Sequence, residues 1–187
     1  MSPSTREKIL DAVFKLVYTH GYNGTSMSMI IEATKLPKGS LYHHFKSKKD
    51  MVLTVIKERL YPRMDEFYVL QKQENEHAID TIINTVLKIA TKDELIKFGC
   101  PLNRINQEMS LIDSDFKVQI DGIYYHIKQK IYNLLSESRL KDDVDKDSLS
   151  AYIIANVWGC LGPQNNSKES FLDCSKHLID YLQSIKA

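Results

Sequence analysis

Residues 38–48 read KGSLYHHFKSK. A Lys-Gly pair, a tyrosine, two adjacent histidines and two further lysines surround two apolar positions, Leu41 and Phe45. On an α-helix, Leu41 and Phe45 lie about 40° apart and define one side. Gly39 and His43 then face nearly opposite, flanked by Ser40 and Tyr42. A helix whose outward side is glycine, hydroxyl, phenol and imidazole, with lysines at both ends, is ill suited to packing on anything apolar. It suits a groove edged with phosphates. Gly39 permits close backbone approach, Ser40 and Tyr42 can donate to phosphate oxygens, and Lys38 and Lys48 bring charge. Lys48 also falls at the start of the next helix, where unsatisfied amides favour an anion. Metal binding by the histidine pair is the poorer reading. Adjacent residues point about 100° apart on a helix, whereas ligand pairs sit at i, i+4.

The flanks of this stretch are also helical. Ser4-Thr5-Arg6-Glu7 forms a capping box, and Ile9, Leu10, Val13, Phe14 and Val17 follow on one stripe until His20-Gly21 closes the helix. Thr25 or Ser26 caps a short second helix, MSMIIEATK, which Leu36-Pro37 ends because a residue before proline avoids α geometry. Ser47 caps a fourth helix, expected to connect residues 48–72 with a bend near Pro62. Three short helices, the second and third joined tightly, make a helix-turn-helix. Charge agrees with this reading. The net charge of +1 hides eight Lys/Arg against four Asp/Glu in residues 1–50, and seventeen against twenty in the remainder. A basic head on a mildly acidic body is expected to meet a polyanion.

The run GYNGTSMSMIIEATKLPKGSLYHHFKSKKDM, residues 21–51, resembles the DNA-binding head of the TetR family of bacterial regulators. The family pattern, Lys-Gly-small-Leu-Tyr-aromatic/His-His-Phe-x-Ser/Asn-Lys, is met from Lys38 to Lys48. The resemblance implies phosphate or base contacts from Ser26, Lys38, Gly39, Ser40, Tyr42, His43, His44 and Lys48. It also implies a palindromic double-stranded operator, a homodimer formed through two C-terminal helices, a small-molecule inducer, and repression as the commoner sign of control. Two positions depart from the pattern. Lys35 stands where the family often has glycine, and Pro37 stands where it has a capping serine or threonine, so Lys35 is expected to make up for a lost hydroxyl contact.

Helical spacing continues to the end of the chain without period-two alternation, so an all-α fold of about nine helices is expected. Residues 1–48 would be the helix-turn-helix domain and 49–187 a ligand-binding and dimerisation domain. SLSAYIIANVWGCLG is apolar nearly all round, which marks a helix buried on more than one side. Within it Ala155, Gly159 and Gly162 would admit a partner helix, joined by Phe171, Leu178 and Leu182 from a stripe of the last helix. Phe67, Tyr68, Phe98, Tyr124, Tyr125, His126 and Trp158 are candidates to line an apolar cavity. Asn103, Gln107 and Asn156 would orient a small hydrophobic or aromatic ligand there. The piece GCPL at residues 99–102 resembles a motif of a drug-efflux and small-aromatic-sensing TetR subgroup.

Other function classes find little support. No apolar run approaches the ~18 residues of a membrane helix, and MSPSTREKIL lacks the apolar stretch of a signal peptide, so a cytoplasmic protein is expected. Three widely spaced cysteines, Cys100, Cys160 and Cys174, fit reduced thiols rather than a disulfide framework. Cys100 precedes a helix start, where the dipole lowers a thiol's pKa, so a thiol-based redox regulator is the alternative within DNA binding. Cys174 and His177 offer only two ligands at i, i+3, and no metal or cofactor is expected. There is no Gly-rich phosphate loop, H-E-x-x-H or G-x-S-x-G, which leaves an enzyme or carrier as the remaining, weaker alternative.

Overall fold

Hydroxyl caps set the boundaries of the amino-terminal helices. Ser4 Oγ accepts from the Glu7 amide at 3.3 Å and opens α1 (Thr5–Gly24), and Ser26 Oγ accepts from Met29 at 3.2 Å and opens α2 (Met27–Thr34). The third helix, α3 (Lys38–His44), starts at Pro37 with no side-chain cap. Ser47 Oγ accepts from Asp50 at 3.1 Å and opens α4 (Lys48–Val55). The chain then makes a π-helical turn, Ile56–Leu60, and continues as α5 (Tyr61–Phe67). The bend expected near Pro62 is this turn, in which the Tyr61 amide donates five residues back to Ile56.

The computed structural model describes residues 4–67, 72, 74, 76–141, 143–162 and 167–187, with backbone alone at 66 and 67. Beyond α5 come α6 (Ala78–Ile89), α7 (Asp93–Phe98), α8 (Pro101–Met109), α9 (Ser114–Ser136), α10 (Lys146–Cys160) and α11 (Lys168–Ser184). Asp145 caps α10 and Ser167 caps α11. The described residues contain no strand, only an isolated antiparallel bridge between Leu140 and Lys186. The fold is therefore all-α, as the helical spacing requires. Two segments exceed the nine expected: the π turn divides the fourth helix, and Asp93–Phe98 forms a helix of its own before Gly99. The expected continuation of the fourth helix through 68–71, like Tyr68, lies outside the described residues.

The helices sort into two compact units. The first holds residues 1–64 and 101–122, so α8 and the start of α9 join the four amino-terminal helices. Its core includes Ile9, Leu10, Val13, Ile30, Leu41, Met51, Val55, Leu102, Ile105 and Phe116, all fully buried. The second unit holds 65–100 and 123–187, with Ile79, Ile89, Leu135, Phe171, Leu178 and Leu182 at its centre. These units differ from the expected division at residue 48, because compactness follows packing while that division followed the motif.

Within the first unit, α8 grips the end of α1. Arg104 Nη1 donates to the Thr19 carbonyl at 2.9 Å, and Glu108 Oε2 accepts from the Asn23 amide at 2.7 Å. Gly21 lies between them with φ of 74° and ψ of −178°, and a Cβ there would collide with the Glu108 carboxylate. Glycine is therefore favoured by the backbone conformation, and a larger residue would also have to displace the Glu108 carboxylate. Tyr22 packs edge-on against Phe116 at 5.1 Å between ring centroids.

Candidate nucleic-acid interface

Burial divides α3 into two sides. Leu41 is 0% exposed and Phe45 3%, so the pair forms the inner seam, as their spacing predicts. Lys38, Gly39, Tyr42, His43 and His44 are exposed and Ser40 is half-buried. The Lys38 ammonium lies 5.7 Å from the Tyr42 ring centroid, and the His43 and His44 rings meet edge-to-face at 5.2 Å. No atom lies within 4 Å of where a Gly39 Cβ would be, which leaves the backbone open to close approach. Ser26 is exposed beside Ser28, with their hydroxyls 2.7 Å apart while Ser26 caps α2. Lys35 ends α2 in the left-handed conformation, φ 55°, and is exposed.

The lysines of the opening stretch are not equivalent. Lys48 was expected to face a phosphate, but its Nζ turns inward. It donates to the Tyr22 carbonyl at 2.9 Å and the Thr25 carbonyl at 3.0 Å, and lies 4.1 Å from the Tyr22 ring centroid. Burial holds its pKa below the ordinary lysine value, with Glu108 opposing the shift. The ammonium is held by two carbonyls at the end of α1, and their distance in sequence hides this from local reading.

Lys49 bridges Asp113 at 2.7 Å and Asp115 at 2.8 Å. Hydrogen bonding from Lys49 holds the Asp113 carboxyl below its usual value. Arg6 makes two 2.7 Å hydrogen bonds to Glu58 and lies 5.5 Å from the Phe45 ring. Arg59 pairs with Asp11 at 2.8 Å and with Glu7. The cations left exposed in residues 1–50 are Lys8, Lys15, Lys35, Lys38 and Lys46, and the last three flank α3. The electropositive rim is thus Lys35, Lys38 and Lys46, whereas the sequence had put Lys48 in that role.

The residues expected to hold a small ligand divide between the units. Asn103, half-buried, and Gln107, exposed, belong to α8 in the first. Phe98, Tyr124, Asn156 and Trp158 are half-buried in the second, where Tyr124 and Trp158 meet edge-to-face at 5.8 Å. Tyr125 is 64% exposed, so within its unit it lines no cavity. It is one position along α9 from the inward-facing ring. His126 hydrogen-bonds Asp65 at 2.8 Å, and Lys130 also reaches Asp65; together they hold that carboxyl low, Lys130 first. The Phe67 side chain lies outside the described residues.

The C-terminal helices also need sorting. Phe171, Leu178 and Leu182 are 0% exposed within the single chain, which removes them from any surface for a partner. Their stripe faces the chain's own core. Ala155 and Gly159 are exposed on α10, and Gly162 is half-buried just after it. Tyr152 and Tyr181, which sequence reading passed over, are exposed beside them with rings 6.3 Å apart. Their signal was available: Tyr152 lies one turn before Ala155 on the same face. The expectation of three reduced thiols also fails. Cys160 and Cys174 are joined in a disulfide with Cα atoms 5.5 Å apart, because α10 and α11 pack on each other, while Cys100 is buried outside any disulfide.

Comparison with known proteins agrees with this geometry. Residues 9–55 match the family described as bacterial regulatory proteins, tetR family. An HTH-type transcriptional regulator in the lacX 3′ region of Lactococcus lactis subsp. lactis is 31% identical over 163 residues, covering 84% of this chain and 82% of that protein. The negative transcriptional regulator IcaR of the Staphylococcus aureus biofilm operon icaADBC is 23% identical over 177 residues, covering 90% and 93%. The crystal structure of a TetR transcriptional regulator from Chloroflexus aurantiacus superposes with a TM-score of 0.82 at 25% identity, covering 97% of this chain and 95% of that one. No described helix is long and apolar enough to cross a membrane. The chain belongs to the TetR family of bacterial transcriptional regulators, non-enzymatic DNA-binding proteins of the helix-turn-helix type, and α2 and α3 lie within the matched residues.

Proposed function

We propose that this regulator is a homodimeric repressor that reads a palindromic operator through α3 and releases it when a small hydrophobic or aromatic molecule binds. The observation that carries the DNA reading is the two-sidedness of α3. Leu41 and Phe45 are locked inward, while Lys38, Gly39, Tyr42, His43 and His44 are left outward between Lys35 and Lys46. Ser26 and Ser40 are placed to add hydroxyl contacts at the edges. In this reading residues 1–48 recognise DNA and 49–187 carry the ligand and dimer functions. Selection of duplexes from a random library by the full chain tests it. A palindrome with half-sites about one helical turn apart should emerge, and affinity should fall steeply as salt rises. An asymmetric site, or binding indifferent to salt, would sink the reading.

Repression is supported by the S. aureus relative, which is named a negative regulator. The half-buried Tyr124–Trp158 pair, with Phe98 and Asn156 in the same unit, supports an aromatic-lined ligand site. An inducer releases DNA only through its differential affinity for two states of the protein. Small aromatic molecules should therefore raise the melting temperature of the wild type but not of Trp158→Ala. Dimerisation is supported by the exposed row Tyr152, Ala155 and Gly159 with Tyr181. The Cys100 alternative is weakened by burial of that sulfur, since oxidants need access.

A further inference from the structure

The chain has a sulfur pair that neither the DNA reading nor the ligand reading uses. Cys160 is the last residue of α10 and is 1% exposed. Cys174 lies two turns into α11 and is half-buried. Their Cα separation of 5.5 Å is typical of a disulfide, and the bond closes a segment of 14 residues. It therefore ties the end of one helix to the body of the next. These two helices carry the exposed row Tyr152, Ala155, Gly159 and Tyr181.

We infer that Cys160 and Cys174 form a reversible oxidation site whose disulfide tightens the dimer and its grip on DNA. The inference rests on the proposed dimeric DNA-binding function. A protein that works beside the chromosome sits among thiol reductants, so a disulfide there is made and broken rather than permanent. The oxidant class is a peroxide. The accessible Cys174 thiolate attacks a peroxide oxygen and breaks the O–O bond, giving a sulfenic acid and, for hydrogen peroxide, one water. The Cys160 thiol then attacks the sulfenic sulfur, forming the S–S bond and releasing a second water. Two thiols and one hydrogen peroxide thus yield one disulfide and two waters. A dithiol reductant returns two electrons and two protons by exchange through a mixed disulfide.

The effect on assembly follows from pre-organisation. The bond narrows the angles available to α10 and α11, so less motion remains to be lost when a partner docks on them. A covalent link closing a segment this short also constrains the unfolded chain.

The test uses the full chain treated with hydrogen peroxide, then with or without dithiothreitol. Peroxide should lower the intact mass by two hydrogens and leave one of three thiols open to alkylation after denaturation, with dithiothreitol restoring all three. The oxidised chain should melt roughly 6–12 °C higher than the reduced one. Its dimer, by sedimentation, and its affinity for a duplex selected from a random library should each be about three- to tenfold tighter. Cys174→Ala should abolish every difference; Cys160→Ser is the second variant, since Cys174 is the less buried site and its loss is the milder change. Three alkylatable thiols after peroxide would overturn the inference. So would a disulfide that forms yet leaves dimer affinity equal to that of Cys174→Ala. A chain that binds no duplex in either state, but whose dimer still responds to peroxide, would instead refute the DNA reading and leave the oxidation site standing.

Discussion

Lys38 and Lys48 stand at the two ends of the same motif, and nothing in their local sequence distinguishes them, yet their ammonium groups do opposite things. Lys38 lies over Tyr42 in the open, while Lys48 is held by the carbonyls of Tyr22 and Thr25. The salt dependence of DNA binding separates the two roles. Each phosphate neutralised by a cation contributes about 0.9 to the slope of log affinity against log salt concentration. Lys38→Ala should therefore flatten the slope by about 0.9 per bound head. Lys48→Met keeps the stem against the Tyr22 ring but loses both hydrogen bonds, so it should weaken binding equally at every salt concentration, with the slope unchanged. A slope that falls in Lys48→Met would show that the ammonium leaves its carbonyls for a phosphate. Tyr42, exposed at 43% beside Lys38, should behave as a contact residue: Tyr42→Phe should lower operator affinity without moving the melting temperature.

Between elements, polar long-range contacts add to the apolar core that α1 and α4 share in the first unit. Gly21 has a positive φ, and an added Cβ would displace the Glu108 carboxylate, so Gly21→Ala should destabilise the protein by roughly 1–3 kcal/mol in chemical denaturation. An unchanged midpoint would mean that α8 can back away without loss. The ion pairs make a separate forecast in pH. Glu58 is held low by hydrogen bonding from Arg6, and Asp113 by hydrogen bonding from Lys49. A carboxylate depressed on folding adds stability that is complete above its unfolded value and fades as pH falls through the folded one. Melting temperature should thus be flat from pH 8 to about 5 and drop below the ordinary carboxylate values of 4.5 and 3.8, less steeply in Glu58→Gln. What was legible in the sequence is the part governed by neighbours three or four residues away: the Ser4, Ser26 and Ser47 caps, the Leu41–Phe45 seam and the exposed outer face of α3. What was not legible spans longer distances. Lys48 bonds carbonyls 23 and 26 residues away, and Lys49 reaches Asp113, 64 residues on. Helical periodicity states which side of a helix is buried; it does not state whether the burial is against its own chain or another.

That last ambiguity matters most for the molecule as a whole, because a palindromic operator needs two heads held at a fixed spacing. The stripe Phe171, Leu178 and Leu182 has the pattern of an interface and is in fact the core of the second unit. The surface proposed for a second copy is narrower, made of two exposed tyrosines and two exposed small residues on α10 and α11. Small side chains let a facing helix approach closely, and the tyrosine rings supply apolar area with a polar edge. A large cation placed among them should break association without disturbing the fold. Ala155 is exposed in the single chain and lies in a helix interior, where arginine is nearly as good a helix former as alanine. Ala155→Arg should therefore keep its helical content but sediment as a monomer at micromolar concentration. Its affinity for the palindrome should fall to that of a single half-site, because two linked contacts become two separate ones. Tyr132→Arg, on an exposed position of α9 in the same unit, serves as the control and should remain dimeric. If Ala155→Arg is still a dimer that holds the full operator, the second copy docks on another face, and the exposed pair Tyr152 and Tyr181 must be explained by something other than self-association.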